Sequence, residues 1–159
     1  MQPDTIEAPV SLRIVNRDAF LIFGLGEVCT SNAGIPAQWE RFVPHLGHIA
    51  SQVGNTAYGV IHNAAETGGY EYICGVEVRE FPPNPPEFTR LKMPAQTYAV
   101  FEHRDHISSI GASWKMIWNQ ALPAAGHAAS DGPAFERYTE AFDGRTGLGG
   151  VEIWVPVKA

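Results

Sequence analysis

The run Pro82-Pro83-Asn84-Pro85-Pro86 falls close to the midpoint of this 159-residue chain. A proline fixes φ and lacks a backbone donor, so such a cluster continues neither a helix nor a central strand. Each side must therefore build its own set of elements, and both sides present them in the same order.

On the N-terminal side, Val10 to Val15 and Ala19 to Leu25 read as strands separated by a turn at Asn16-Arg17-Asp18. A helix is predicted from Pro36, a residue suited to a first turn, with Trp39, Phe42, Val43, Leu46, Ile49 and Ala50 on one apolar face. Pro44 should kink or divide it. Ala57 to His62 and Tyr70 to Val78 follow as strands around a polar hairpin at Gly68-Gly69.

On the C-terminal side, Phe88 to Met93 and Thr97 to His103 are strand-like. A helix is predicted over Ser108 to Ala121 and stopped by Pro123 and Gly126, with Ile110, Trp114, Ile117, Trp118 and Ala121 on one side. Phe135 to Phe142 and Val151 to Val157 complete the set around a Gly-rich hairpin. The fold class expected is α+β: duplicated strand-helix-strand-strand modules with antiparallel sheets and two main helices. One domain spans 1–159, with module one at about 9–80, a linker at 81–87 and module two at about 88–157.

Charge and composition narrow the function. Eleven basic against 17 acidic residues leave a net charge of −6, and the arginines are scattered from Arg13 to Arg145. Without a basic stripe to neutralise phosphates, direct nucleic-acid binding is not expected. No apolar run approaches the length of a membrane span, and Met1-Gln2-Pro3-Asp4 has no signal-like pattern. Cys29 and Cys74 lack metal-type spacing, and the expectation is a reduced cytoplasmic protein. His45 and His48, like His103 and His106, are three apart with no third ligand, so no metal and no cofactor are expected. There is no Gly-x-Ser-x-Gly elbow, and the stretch Gly144 to Gly150 lacks a phosphate-loop ending.

Five stretches carry a family resemblance in a consistent order: Tyr70 to Val78, Met93 to His103, Trp118 to Gly126, Gly132 to Tyr138 and Val151 to Val157. Tyr58 to Asn63 fits as a first-half strand. The chain resembles the GyrI-like small-molecule-binding family, whose members include effector domains of AraC-type and multidrug-sensing regulators, a gyrase-inhibiting protein and stand-alone proteins. The resemblance implies two modules side by side with a ligand cleft between the halves, and an aromatic or cationic small molecule as partner. A helix-turn-helix region finds no room beside the two modules, so the expectation is a stand-alone binding protein.

Strand alternation puts Glu136, Tyr138 and Glu140 on one face, and Glu152 with Trp154 on one face of the last strand. If those strands pair, Glu136 and Glu152 are expected near each other beside Trp154. By alternation alone a strand glutamate is a solvated outward residue. The resemblance instead places Glu136 in the cleft and matches Glu152 to an acidic position on the family's last strand. A carboxylate among ring faces suits a cationic or electron-poor planar ligand.

Tyr58, Tyr72, Tyr98, Tyr138, Trp114, Trp118 and Trp154 can line a pocket, although aromatics at these spacings are more often plain core, and Tyr138 and Trp118 are the preferred liners. The expected binding set is Glu136, Tyr138, Glu152, Trp154, Trp118 and Tyr58. Three functions stay open at this level. The first is capture of cationic or amphipathic aromatic compounds, for sensing, sequestration or delivery to a partner. The second is hydrolysis of cyclopropane-bearing alkylators, with Glu136, Tyr138 and Glu152 in the catalytic roles. The third is a protein-partner role such as topoisomerase inhibition. A homodimer or a regulatory partner protein is compatible with each.

Overall fold

A computed structural model describes residues 10–63 and 68–158. The N-terminal residues read for a signal pattern and part of the first hairpin tip lie outside the described residues. The elements are β1 (Val10–Arg17), β2 (Phe20–Cys29), α1 (Ile35–Phe42), β3 (Gln52–His62), β4 (Tyr70–Val78), β5 (Thr89–Met93), β6 (Gln96–His103), α2 (Ile110–Met116), α3 (Leu122–Ala124), β7 (Ala134–Tyr138) and β8 (Val151–Pro156). A π-helical turn, Ile117–Ala121, joins α2 to α3.

The strands form one antiparallel sheet in the order β1-β6-β8-β7-β3-β4-β2-β5. This order is symmetric about the β7–β3 junction. Read from either end it runs through the first, second, fourth and third strands of a strand-strand-helix-strand-strand set, except that the first strands are exchanged. Thus β1 pairs with β6, and β5 pairs with β2. The proline linker lets β5 travel back to the first set, and Pro82 to Pro86 lie outside every strand.

Register settles which residues share a face. Phe135 pairs with Trp154 and Val60, Glu136 with Ile153 and Gly59, and Arg137 with Glu152 and Tyr58. Side chains alternate, so Phe135, Arg137, Trp154, Glu152, Tyr58 and Val60 share one face, and Glu136, Tyr138 and Ile153 lie on the other. The first face carries a core of Phe20, Ile22, Tyr58, Val60, Ile73, Met93, Tyr98, Val100, Phe135 and Trp154. The sheet curls around it. Arg17, on edge strand β1, reaches Glu77 of β4 at 2.6 Å and lies 3.5 Å over the Phe20 ring of β2. Phe135 and Trp154 stack with centroids 5.2 Å apart, and Tyr98 meets both edge-on.

Both helices pack on the opposite face. Phe42 and Trp39 of α1 close a cluster with Phe23, Tyr72, Cys74, Val76 and Val78. Ile110 and Trp114 of α2, with Ile117 and Leu122, close another over Ala99, Phe101, Ile153 and Val155. Between these two clusters runs a seam floored by β3 and β7.

Three sequence expectations are corrected. The first helix stops at Phe42 and passes into a single 3-10 turn, Val43–His45, so Val43 is exposed and Ile49 and Ala50 are not helical. Pro44 divides the pattern instead of kinking it, since it cannot supply the donor a continuing helix needs. The seventh strand ends at Tyr138, leaving Glu140 outside it and exposed. Asn16 and Arg17 belong to β1, so the turn is confined to Asp18-Ala19.

Candidate functional site

Glu136 is the one acidic residue among the described buried side chains, 5% exposed on β7 at the floor of the seam between α1 and α2. It is held by three donors. The hydroxyls of Tyr72 (β4) and Tyr138 (β7) donate to Oε1 at 2.8 and 2.7 Å, and the Trp114 indole (α2) donates to Oε2 at 2.9 Å. Behind Tyr72 stands a further donor, the Trp39 indole of α1, 3.0 Å from the phenol oxygen. Both helices thus reach the same carboxylate, one directly and one through a tyrosine.

Each part is positioned by local sequence. On β7, Glu136 and Tyr138 are two apart and so share a face. Tyr72 arrives from β4, two strands away, over Gly59 of β3. A Cβ at Gly59 would lie against the Tyr72 hydroxyl and 2.8 Å from Glu136 Oε1, so only glycine leaves the space in which these groups meet. Gln38, 1% exposed, ties α1 to the sheet by donating to the carbonyls of Leu25 and Tyr72 at 2.9 and 2.8 Å. On the other side, buried His103 contacts Ser113 Oγ at 2.7 Å and fixes α2 one residue before Trp114.

Burial pushes the Glu136 carboxyl above its ordinary value of 4.5, against the pull of its Trp114, Tyr138 and Tyr72 donors. The same burial, with the carboxylate as neighbour, pushes the Tyr72 and Tyr138 phenols well up, so both remain protonated donors. The result is a single carboxyl group, shielded from solvent and ringed by aromatic side chains. Tyr138 and Trp114 are half-buried, and Trp118 is 42% exposed and stacked on Trp114 with centroids 6.3 Å apart. The Trp39 ring meets Tyr138 edge-on at 5.2 Å.

Of the six residues singled out from sequence, Glu136, Tyr138 and Trp118 come together here. Glu152, Trp154 and Tyr58 do not, and the expectation that the two glutamates lie together beside Trp154 is corrected. The pairing of Glu136 with Ile153 sends Glu152 through to the opposite face. There Glu152 accepts from Arg137 at 3.0 Å, Arg13 at 3.2 Å and the Trp154 indole at 3.0 Å, a charge already neutralised. Trp154 and Tyr58 are core residues, 6% and 3% exposed. We expect Glu152→Ala to cost about 1–3 kcal/mol in urea denaturation by orphaning these donors, and to leave affinity for an aromatic cation unchanged.

Trp39 and Gly59 were not marked as site residues by sequence reasoning. The helical period gave Trp39 to the core face, which is where its ring sits, but could not show where its indole N–H points. No local signal marks Gly59, because its role is a contact across two strands.

A shallow cavity of about 200 Å³ lies elsewhere, lined by Glu102, His103, Arg104, Thr139, Gly149, Gly150, Val151 and Glu152. It offers no aromatic wall, and its Glu102 and Glu152 carboxylates are paired with arginines. It is smaller than the several hundred Å³ of usual ligand pockets. Among the described residues no group of three or more His, Cys, Asp or Glu side chains is placed to hold a metal. No helix of the described residues is long and apolar enough to cross a membrane.

Comparison with known proteins gives a consistent result. A family model described as GyrI-like small molecule binding domain matches residues 11–158. The transcriptional regulator BrlR of Pseudomonas aeruginosa is 34% identical over 149 residues, covering 91% of this chain and 54% of BrlR. A DNA gyrase inhibitor of Edwardsiella piscicida is 39% identical over 62 residues, covering 38% of this chain and 39% of its own. The chain therefore spans about half or less of the curated relatives it matches. Among solved structures, SAV2435 bound to tetraphenylphosphonium superposes with a TM-score of 0.75 at 16% identity, covering 94% of this chain and 95% of that one. The EcmrR C-terminal domain does so with a TM-score of 0.66 at 14% identity, covering 93% and 97%. At these identities the structural matches establish the shared fold.

Proposed function

This chain belongs to the GyrI-like small molecule binding domain family, and from that premise we propose that it binds amphipathic aromatic monocations over Glu136, for sensing or sequestration. The observation that carries this reading is the buried carboxylate at the floor of an aromatic seam. A desolvated charge attracts a cation far more strongly than a solvated one, and ring faces add to the attraction. The ligand enters by displacing the partly exposed rings of Trp39, Tyr138 and Trp118. That SAV2435 takes tetraphenylphosphonium in the same fold supports the ligand class.

The hydrogen bonding favours capture over turnover. A general base needs a lone pair aimed at water, and both tyrosines and a tryptophan already take three of the roughly four lone-pair sites of this carboxylate. Titration of the protein with tetraphenylphosphonium tests the proposal. Saturable binding with one site per chain is expected, and no binding would overturn it. Ring-opened product from a cyclopropane-bearing alkylator, lost in Glu136→Gln, would favour the hydrolase alternative.

The reading also sets a pH dependence. The titratable groups around Glu136 are Tyr70, Tyr72 and Cys74 from β4, Tyr138 from β7 and His103 from β6. Tyr70, Tyr72, Cys74 and Tyr138 are all pushed upward, so they stay neutral as pH falls and the carboxylate titrates. A cation binds the charged carboxylate better, so affinity should fall as pH drops through the Glu136 pKa. The loss begins above the ordinary 4.5 and steepens towards about tenfold per pH unit. For stability the sign is opposite. A carboxyl raised on folding contributes stability below its unfolded value, and that contribution is lost as pH rises through the folded one. Calorimetric titration with tetraphenylphosphonium from pH 8 to 4.5 measures the first effect. A flat profile would contradict a role for Glu136.

A further inference from the structure

Glu136 offers a cation charge without offering it hydrogen bonds. A carboxylate has about four lone-pair sites. Tyr72 and Tyr138 occupy both on Oε1, and Trp114 occupies one on Oε2. The Tyr72 oxygen is itself taken by the Trp39 indole. What remains is one lone pair on Oε2 and the phenol oxygen of Tyr138, in a wall otherwise made of rings.

A cation with N–H groups enters such a site at a disadvantage. A primary ammonium brings three donors and a guanidinium five, and donors buried without acceptors lose the hydrogen bonds they made with water. An onium cation without N–H groups loses nothing of that kind and keeps the attraction of charge and ring faces. We propose that this site selects quaternary onium cations over primary ammonium and guanidinium cations, and that the Tyr138 hydroxyl is a determinant of that selectivity. The inference rests on the binding reading above and adds a preference within it.

Tyr138 is the donor best suited to a test. It is half-buried, whereas Tyr72 is almost wholly enclosed. Tyr138→Phe frees a lone pair on Oε1 and keeps the ring. Trp114→Phe frees one on Oε2 and serves as a second variant should the first fold poorly, with thermal denaturation reporting on both.

The probes are naphthylmethyltrimethylammonium and naphthylmethylammonium, equal in charge and ring system, titrated calorimetrically at neutral pH. The wild-type protein should prefer the trimethylammonium on the order of tenfold or more. The added methyl groups contribute part of that preference through hydrophobicity alone, so the decisive quantity is the change in the ratio on mutation. In Tyr138→Phe the preference should shrink about threefold or more, because the Oε1 lone pair that is freed is a charged acceptor, stronger than the phenol oxygen that is lost with it. Trp114→Phe should shift it in the same direction. Binding of both probes with a ratio unchanged in both variants, or a wild-type preference for the primary ammonium, would overturn the selectivity while leaving cation binding intact. Failure of both probes to bind the wild-type protein would overturn both.

Discussion

Glu136→Gln is expected to weaken binding of tetraphenylphosphonium on the order of 100-fold, the largest effect of any single substitution on this chain's affinity. A unit charge about 5 Å from a cation at an effective dielectric of about 20 is worth roughly 3 kcal/mol, which corresponds to that factor. A neutral aromatic of similar shape should bind both proteins alike, which separates charge from shape. The fold should tolerate the change. The Tyr72 and Tyr138 hydroxyls still find an amide oxygen, the burial penalty on a charged group disappears, and the cost is one amide N–H₂ facing the Trp114 indole. Thermal stability should therefore stay nearly unchanged. Equal affinity in the two proteins would remove Glu136 from the site.

Gly59→Ala is expected to damage the same site from the other side of the sheet. Its methyl group would meet the Tyr72 hydroxyl and press on Glu136 Oε1, and both groups are too enclosed to yield freely. Overpacking of this kind costs roughly 1–3 kcal/mol, or about 3–10 °C in melting temperature for a domain of this size. Cation binding should fall with it, because the Tyr72 bond that orients the carboxylate is broken. Gly34→Ala is the control. A methyl group there meets nothing within 4 Å, so stability and binding should both hold. If Gly59→Ala matches that control, the close approach of β3, Tyr72 and Glu136 is misread.

Much of the architecture was legible in the sequence because punctuation and period agreed. Tyr70–Val78 is a strand with the boundaries its alternation suggested, and Pro82 to Pro86 separate the two sets of elements. The exchange of β1 and β5 was not legible. The pairings of β1 with β6 and of β5 with β2 join residues far apart in sequence, and strand alternation does not name the partner. The second helix shows a similar limit. An ideal α-period puts Trp114 and Trp118 on one buried side, but the π-turn at Ile117–Ala121 widens the helix there, and Trp118 is 42% exposed.

The site divides in the same way. Alternation put Glu136 with Tyr138, and Glu152 with Trp154, and both pairs hold. What alternation could not fix is the phase of one strand against the other. A register of Glu136 to Ile153 sends the two acids to opposite faces, as a slip of one residue always does. The donors to Glu136 come from β4, β7 and α2, with α1 behind them, so no local window of sequence contains the constellation.

The four tryptophans report which face of the sheet a cation occupies. On the helical face Trp114 hydrogen-bonds Glu136, Trp39 hydrogen-bonds its partner Tyr72 and Trp118 stacks on Trp114, while Trp154 hydrogen-bonds Glu152 on the other face. In a ¹H–¹⁵N correlation spectrum recorded during titration with tetraphenylphosphonium, the indole signals of Trp39, Trp114 and Trp118 should move together to saturation. That of Trp154 should stay in place. Movement of the Trp154 signal while those three stay put would place the ligand on the face opposite Glu136 and rule out binding over its carboxylate.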